Sequence, residues 1–288
     1  MKPRYQFKIQ CKYPPRHGMS GDWAGAQRGV GFEFWGLRRY AAGDSFWHID
    51  WKAKARTGEL YVKEFLQDSA YTLLLICDVS PSMRLGGKPG LMIDVASSLA
   101  CAALQGNNPC GLLLYADGVY RHLPASPDPA QFCRVIAELQ QAAAVTSTRT
   151  ALVPALHFLK LRVPSCLGII LSDFNYSLEN LSSCVEAASA AGVPARELVA
   201  FHLLEGNEYR FDALRDGSLL VRDVETGEER EMDLGQWRAH NDYLQRRREA
   251  AVQTLAGCGI DSLVLRVGDA AVQDQVNTFF ARRMSTRI

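Results

Sequence analysis

The stretch Tyr71-Thr72-Leu73-Leu74-Leu75-Ile76-Cys77 runs directly into Asp78-Val79-Ser80-Pro81-Ser82. Its first seven residues are almost entirely apolar, which predicts a strand buried on both faces, as in a parallel sheet. The next five residues place one carboxyl group and two hydroxyl groups on a loop at the carboxyl end of that strand, where open α/β sheets bind ligands. Mg²⁺ prefers oxygen ligands of this kind, so the stretch predicts a divalent-cation site.

A purely structural explanation of the same loop is also open. Serine is a preferred N-cap residue, so Ser80 or Ser82 would then only begin the helix that follows. The pattern D-x-S-x-S is short enough to arise by chance, so the metal hypothesis needs support from residues elsewhere in the chain.

Beyond residue 70, strand patterns alternate with helix patterns, which predicts a doubly wound α/β fold with a mostly parallel sheet. We assign residues 70–288 to this fold, with a hairpin insertion near residues 218–233. The predicted strands cover residues 71–77, 111–115, 119–122, 166–171, 197–203 and 262–267. The predicted helices cover residues 91–104, 129–142, 151–161, 178–191, 236–256 and 270–283.

Residues 1–69 differ in composition, since they hold four of the five tryptophans and many glycines. We expect a small β-rich subdomain here, with short strands at residues 5–9, 32–35 and 60–65. Its 12 Lys and Arg against 7 Asp and Glu leave a modest basic face for an acidic partner. Basic and aromatic residues are interleaved between Trp47 and Phe65. In the strand-like part their spacing suits a half-buried strand with a solvated face equally well, so we expect no nucleic-acid binding.

The overall composition excludes several classes of protein. With 32 basic and 31 acidic residues, the chain has no net charge that would favour nucleic acid or an anionic membrane. The eight cysteines are scattered and form no C-x-x-C pair, so we expect reduced thiols and no zinc site. No apolar run approaches 18 residues, so a cytoplasmic location without membrane insertion is expected.

Two further oxygen ligands are expected at the same edge of the sheet. Asp173 follows the predicted strand 166–171, and Thr150 opens the predicted helix 151–161. Taken separately, Thr150 would be a helix cap and Asp173 would begin a turn with Asn175. Together with the first loop they predict one metal site, whose residues are Asp78, Ser80, Ser82, Thr150 and Asp173.

This arrangement resembles the metal-ion-dependent adhesion site of von Willebrand factor A-type domains. A longer resemblance, to the bacterial "domain of unknown function" family 58, lies in the N-terminal part. It rests on Gly31-Phe32-Glu33-Phe34-Trp35-Gly36-Leu37-Arg38-Arg39-Tyr40-Ala41-Ala42-Gly43-Asp44 and on Ile49-Asp50-Trp51-Lys52-Ala53-Lys54-Ala55-Arg56-Thr57-Gly58-Glu59-Leu60-Tyr61-Val62-Lys63-Glu64-Phe65. The later segment Asp223-Val224-Glu225-Thr226-Gly227-Glu228 is also similar to that family, whose members carry an A-type domain after the first signature.

The resemblance implies that Ser80, Ser82 and Thr150 contribute hydroxyl oxygens, with Thr148 as the alternative threonine. It implies that Asp78 and Asp173 act directly or through water. A divalent cation (Mg²⁺ or Mn²⁺) held by neutral hydroxyls and few carboxylates stays electrophilic and can accept an Asp or Glu from another protein. Members of the family act alongside MoxR-type AAA+ ATPases. An adaptor or co-chaperone role is therefore implied, with such an ATPase and other A-type proteins as partners.

Enzyme motifs do not match at the positions that carry chemistry. A haloacid-dehalogenase-like phosphotransferase needs an acid two residues after its aspartate, where this chain has Ser80. Gly86-Gly87-Lys88-Pro89-Gly90 resembles a phosphate loop, but Pro89 replaces the hydroxyl that binds magnesium. We expect an interaction protein that is not an enzyme, with a metal-dependent phosphotransferase or hydrolase as the alternative.

Overall fold

The structure is a computed structural model. It describes residues 2–11, 24–29, 33–41, 44, 49–68, 71–142, 147, 150–163, 166–178, 181–182, 197–205, 217–224 and 227–285. The helix expected over residues 178–191 lies mostly outside these residues, as do Thr148, Trp47 and His48.

Eleven strands and six helices are named here in chain order. The first part of the chain holds β1 (Ala24–Gly29), β2 (Glu33–Arg39), α1 (Trp51–Thr57) and β3 (Tyr61–Asp68). The middle part holds β4 (Leu73–Asp78), α2 (Lys88–Gln105), β5 (Cys110–Tyr115), β6 (Val119–Ser126), α3 (Gln131–Gln141), α4 (Val153–Arg162), β7 (Leu167–Ser172) and β8 (Glu197–Leu204). The last part holds β9 (Ser218–Arg222), β10 (Glu229–Asp233), α5 (Leu234–Gly257), β11 (Asp261–Arg266) and α6 (Val272–Ser285).

The central sheet has the order β11-β8-β7-β4-β5-β6, and only the edge strand β6 is antiparallel to its neighbour. From β4 the chain first builds outward through β5 and β6, and then returns to build the other half through β7, β8 and β11. The boundary between β4 and β7 is therefore the topological switch point, where open α/β sheets bind their ligands. The predicted doubly wound fold is confirmed.

Helices cover both faces of this sheet. Leu73 and Leu75 of β4 belong to the core that includes α2, α3 and α6, whereas Leu74 and Ile76 belong to the core that includes α4 and α5. Burial of each such side chain contributes about 1.5–3 kcal/mol. Covering on both faces explains why the strands are continuous apolar runs, and why all of β4, β5 and β7 is buried.

The structure contains a hairpin at the predicted place, since β9 and β10 pair antiparallel from Ser218 to Asp233. Residues of the N-terminal part form a separate antiparallel sheet of order β1-β3-β2, which confirms the expected β-rich character. Among the helices that the structure describes, none combines the length and apolarity needed to cross a bilayer.

The strand expected at residues 5–9 is wrong. This segment is extended, but its backbone bonds to side chains of two helices: Tyr5 N–H donates to Ser98 Oγ (3.1 Å) and Lys8 N–H donates to Asn277 Oδ1 (2.8 Å). Phe7 and Ile9 are buried in the core of the central sheet. The alternating pattern correctly indicated burial on one side, although no strand among the described residues pairs with the segment.

Helix α1 was not predicted from the sequence, and it lies just before the strand expected at residues 60–65. Asp50 is its N-cap and accepts from the backbone N–H groups of Lys52 and Ala53. Gly58 ends the helix in the left-handed conformation, with φ 78°. The Trp51 side chain is half exposed and lies beneath Lys54 Nζ, 5.3 Å from the ring centre.

Candidate functional site

The candidate site begins where β4 and β7 end, side by side, at the switch point. Asp78 is the last residue of β4, and Ser172 is the last residue of β7. The Asp78 carboxylate is fully buried, and both of its oxygens accept hydrogen bonds. Oδ1 accepts from the Ser80 backbone N–H (2.9 Å), and Oδ2 accepts from the Ser172 hydroxyl (2.6 Å).

The protonation of Asp78 is strongly affected by this position. Its pKa is raised to about 7, first by burial and then by the negative charge of Asp173, although the hydrogen bonds from Ser172 and Ser80 act to lower it. Desolvation thus outweighs the donors. A cation beside this carboxylate would favour its charged form.

The hydroxyls of Ser80 and Ser82 face one another, with their oxygens 3.2 Å apart. Both residues are buried. Neither caps a helix, since the short helical turn Ser82–Arg84 has Pro81 at its N-cap and α2 has Gly87 there. Adjacent ligands of an octahedral Mg²⁺ at 2.0–2.1 Å lie about 3 Å apart, so this pair of oxygens fits such an ion.

Thr150 supplies a third hydroxyl. Its Oγ1 is buried and has no hydrogen-bond partner within the part of the chain that the structure describes. The cap explanation does not hold, because the N-cap of α4 is Leu152 and no side chain bonds there. The next residue, Ala151, donates its N–H to the carbonyl of Ala116 (2.8 Å), which ties this loop to the end of β5.

Asp173 is already satisfied by groups of the protein itself. Its Oδ1 accepts from the Asn175 N–H (3.1 Å), so the turn expected from the sequence is present. Its Oδ2 lies 2.8 Å from Nζ of Lys88, whose side chain is 1% exposed. The structure therefore brings an internal ammonium group to the acid that was expected to complete the metal site.

The two glycines before Lys88 explain how it reaches this position. Gly87 N–H donates to Glu205 Oε2 (2.7 Å), which anchors the start of α2 to the loop after β8. Gly86 has φ 57°, and a Cβ there would lie within 2.4 Å of the same Glu205 oxygen. The glycines thus allow close packing on Glu205. Lys88 is then the first residue of α2, an unfavourable place for a cation that Asp173 compensates.

Two residues of the site were missed by the sequence analysis. Ser172 donates to Asp78 and accepts from the Phe174 N–H (2.9 Å), so it joins the two loops, and its place directly before Asp173 at a strand end was a usable signal. Lys88 had no such signal, because its partner is 85 residues away. Phe174 has φ 51°, a strained conformation of a kind that often occurs beside functional residues.

The donor set fits a divalent cation in part. Asp78, Ser80 and Ser82 are linked on one loop, and Thr150 Oγ1 lacks a partner among the described residues, as a ligand oxygen would without its ion. Asp173 does not fit as a direct ligand while Lys88 holds it. The described ranges contain no group of three or more His, Cys, Asp or Glu side chains placed to hold a metal ion.

Comparisons with known proteins give distant structural likenesses. BatB from Bacteroides thetaiotaomicron, a conserved hypothetical protein, is 15% identical, with 75% of this chain and 100% of BatB covered and a TM-score of 0.48. An aerotolerance-related membrane protein from Bacteroides fragilis is 15% identical, with 74% and 100% covered and a TM-score of 0.43. The VWA domain of SpRpn10 is 12% identical, with 73% and 95% covered and a TM-score of 0.36.

No curated protein matches this chain. The assignment of the fold rests on the strand order and the antiparallel edge strand described above. One family model covers most of the sequence, residues 36–253, including the last four residues of β2, all of α1 and β3, and the whole of the candidate site. The chain belongs to the family described as protein of unknown function DUF58.

Proposed function

We propose that this chain is a protein-interaction module, not an enzyme, which binds an acidic group of a partner at the carboxyl edge of its central sheet. A divalent cation, Mg²⁺ or Mn²⁺, would be held by Asp78, Ser80, Ser82 and Thr150. The observation that carries the proposal is the buried Thr150 hydroxyl, which has no partner among the described residues, together with a loop that offers two more hydroxyls 3.2 Å apart. Both loops are tied to the end of β5, since Val79 N–H donates to the Tyr115 carbonyl and Ala151 N–H donates to the Ala116 carbonyl. Three hydroxyls and one acid at a switch point suit a hard cation.

The cation would supply a strong positive centre that accepts a carboxylate oxygen from outside. One carboxylate neutralises only half of its charge, and hydroxyls contribute no charge, so the loaded site stays electrophilic. Asp173 would act from outside the coordination shell, since Lys88 occupies its Oδ2. The protein's own residues hold this arrangement in place through the Ser172 hydrogen bond and the Thr150 loop.

A MoxR-type AAA+ ATPase is the partner that we propose, with an adaptor or co-chaperone role for this chain. Support for this partner comes from membership of the family alone. Other A-type proteins are proposed as additional partners on the same ground. An acidic side chain on the ATPase surface would be the group recognised.

The chemistry of the loop supports binding rather than phosphoryl transfer. Two residues after Asp78, where a phosphotransferase of the haloacid-dehalogenase type needs an acid, the Ser80 hydroxyl faces that of Ser82. A serine hydroxyl does not protonate a leaving group at neutral pH as a carboxylic acid does. Gly86 and Gly87 pack on Glu205, and a carboxylate at this position would repel a phosphate group.

The test is the association of the full chain with the purified MoxR-type ATPase, measured in Mg²⁺ and in excess EDTA. We expect binding in Mg²⁺ that EDTA removes, that Asp78→Asn removes, and that the exposed control Asp128→Asn retains. A phosphatase assay with p-nitrophenyl phosphate is run on the same proteins, and no turnover is expected. Turnover that Asp78→Asn abolishes would establish the enzyme alternative, and association indifferent to EDTA and to Asp78→Asn would refute the metal-dependent module.

A further inference from the structure

The Lys88–Asp173 ion pair is one of the most deeply buried charge pairs in the described part of the protein. Its two side chains are 1% and 3% exposed, and Nζ lies 2.8 Å from Oδ2. Burial of two charges is costly, and a pair of apolar residues would often stabilise a core as well. Stability alone therefore does not explain why this ion pair is present. Because the pair lies at the candidate binding site, we look for its role there.

The pair changes the charge that a divalent cation would meet. Without Lys88, the carboxylates of Asp78 and Asp173 together would neutralise such an ion completely. With Lys88 present, Asp173 is already balanced, and only the charge of Asp78 remains available. With the cation bound, the site then keeps a net positive charge, but its affinity for the cation is lower.

The positions of Lys88 and Asp173 are fixed by hydrogen bonds of the neighbouring backbone. Lys88 begins α2, whose preceding residue Gly87 is fixed to Glu205 by a 2.7 Å hydrogen bond. The other oxygen of Asp173 is held by Asn175, so both ends of the ion pair are anchored in the backbone. The ammonium group is therefore a built-in part of the site.

We propose that Lys88 is the residue that sets the specificity of this site, because it weakens the binding of the divalent cation while it preserves the positive charge that attracts an acidic partner. This inference rests on the proposed function and deepens it. Lys88 acts through Asp173 and through the local electric field, so it is a positioning residue and not a ligand.

The test is calorimetric titration of Mg²⁺, and separately of Mn²⁺, into wild-type protein, Lys88→Met, Asp173→Asn and the double variant Lys88→Met/Asp173→Asn. Lys88→Met should bind Mg²⁺ more tightly by roughly tenfold to a thousandfold, the range in which a nearby charge shifts an ionic equilibrium. Asp173→Asn, which leaves the ammonium unbalanced, should bind most weakly. The double variant should resemble the wild type, and the exposed control Lys52→Met should equal it.

At saturating Mg²⁺, the affinities of the same variants for the ATPase should follow the opposite order. Lys88→Met should bind the ATPase more weakly than the wild type does. A merely structural role for Lys88 would alter stability but would not tighten Mg²⁺ binding. If Lys88→Met does not fold, the comparison of Asp173→Asn with the double variant still isolates the loss of the ammonium.

Equal Mg²⁺ affinity in wild type and Lys88→Met overturns this inference and leaves the proposed function standing. The same holds if Lys88→Met binds Mg²⁺ more weakly. Absence of Mg²⁺ binding in every variant, Lys88→Met included, overturns both this inference and the metal-dependent part of the proposed function. The two failures are thus distinguishable in one set of titrations.

Discussion

Ser172 Oγ donates a 2.6 Å hydrogen bond to Oδ2 of Asp78, and this bond joins the ends of the two strands that flank the switch point of the sheet. The same serine oxygen accepts the N–H of Phe174, so the loop after β7 is fixed relative to the loop after β4. The loops that carry Asp78 and Asp173 are therefore held at a constant spacing.

Replacement of Ser172 by alanine should destabilise the protein. The change removes a donor from a fully buried carboxylate, and an unsatisfied buried group of this kind costs about 1–3 kcal/mol. The free energy of unfolding, measured by urea denaturation, should fall by that amount. Ser262→Ala on β11 is the matched control and should change little, and equal losses in the two variants would argue against a special role for Ser172.

Two glycines at the start of α2 should respond to alanine in opposite directions. Gly86→Ala places a side chain at φ 57° and against Glu205 Oε2, so we expect a loss of at least about 1–2 kcal/mol from backbone strain. Gly90 lies within α2 with nothing near its absent Cβ, so Gly90→Ala should stabilise by up to about 1 kcal/mol. Thermal unfolding of both variants checks the signs, and a neutral Gly86→Ala would contradict the packing described here.

His202 should make the stability depend on pH. Its ring is fully buried on β8, 4.4 Å from the ring of Phe174, and burial lowers its pKa to about 4, with Arg248 adding to the effect. The unfolded chain takes up this proton near pH 6.5, while folded His202 does not. Stability is therefore lost as the pH falls from about 6.5 toward 4, by up to about 3 kcal/mol from this group.

The variant His202→Phe keeps a ring against Phe174 but has no proton to gain. As the pH falls from 7 to 5, the free energy of unfolding of the wild type should decrease relative to that of the variant. Asp78, whose raised pKa acts in the opposite direction, is present in both proteins and cancels in the difference. The exposed control His157→Phe should show no such shift, and a difference independent of pH for His202→Phe would refute the prediction.

The sheet could be predicted because its strands are buried on both faces. Runs such as those of β4 and β7 leave few alternatives once helix patterns alternate with them, and a loop after such a strand is a known place for ligands. Ser80 and Ser82 were proposed as ligands for that reason, and Thr150 was proposed because it opens a predicted helix. Helix α1 was also within reach, since Asp50 and Gly58 are good cap residues, but no helix was predicted there.

Other features depend on partners that are distant in the sequence. The ammonium of Lys88 meets Asp173 across 85 residues, and the backbone of Lys8 meets Asn277 across 269 residues. No local pattern encodes either contact, because propensity and periodicity describe only neighbours along the chain. Gly86 and Gly87 are a further example, because their sequence resembles a phosphate loop. The structure shows that glycine is needed there for close packing on Glu205, a residue distant in the sequence.

The most direct test of the account is calorimetric titration of Mg²⁺ into the wild type and into Asp78→Asn, with circular dichroism to verify that both are folded. Asp78 is the only carboxylate among the four proposed ligands, so its replacement should abolish binding while the fold is retained. We predict saturable heat for the wild type at one ion per chain and none for Asp78→Asn. Identical titrations for the two proteins would contradict the claim that this edge of the sheet holds a cation.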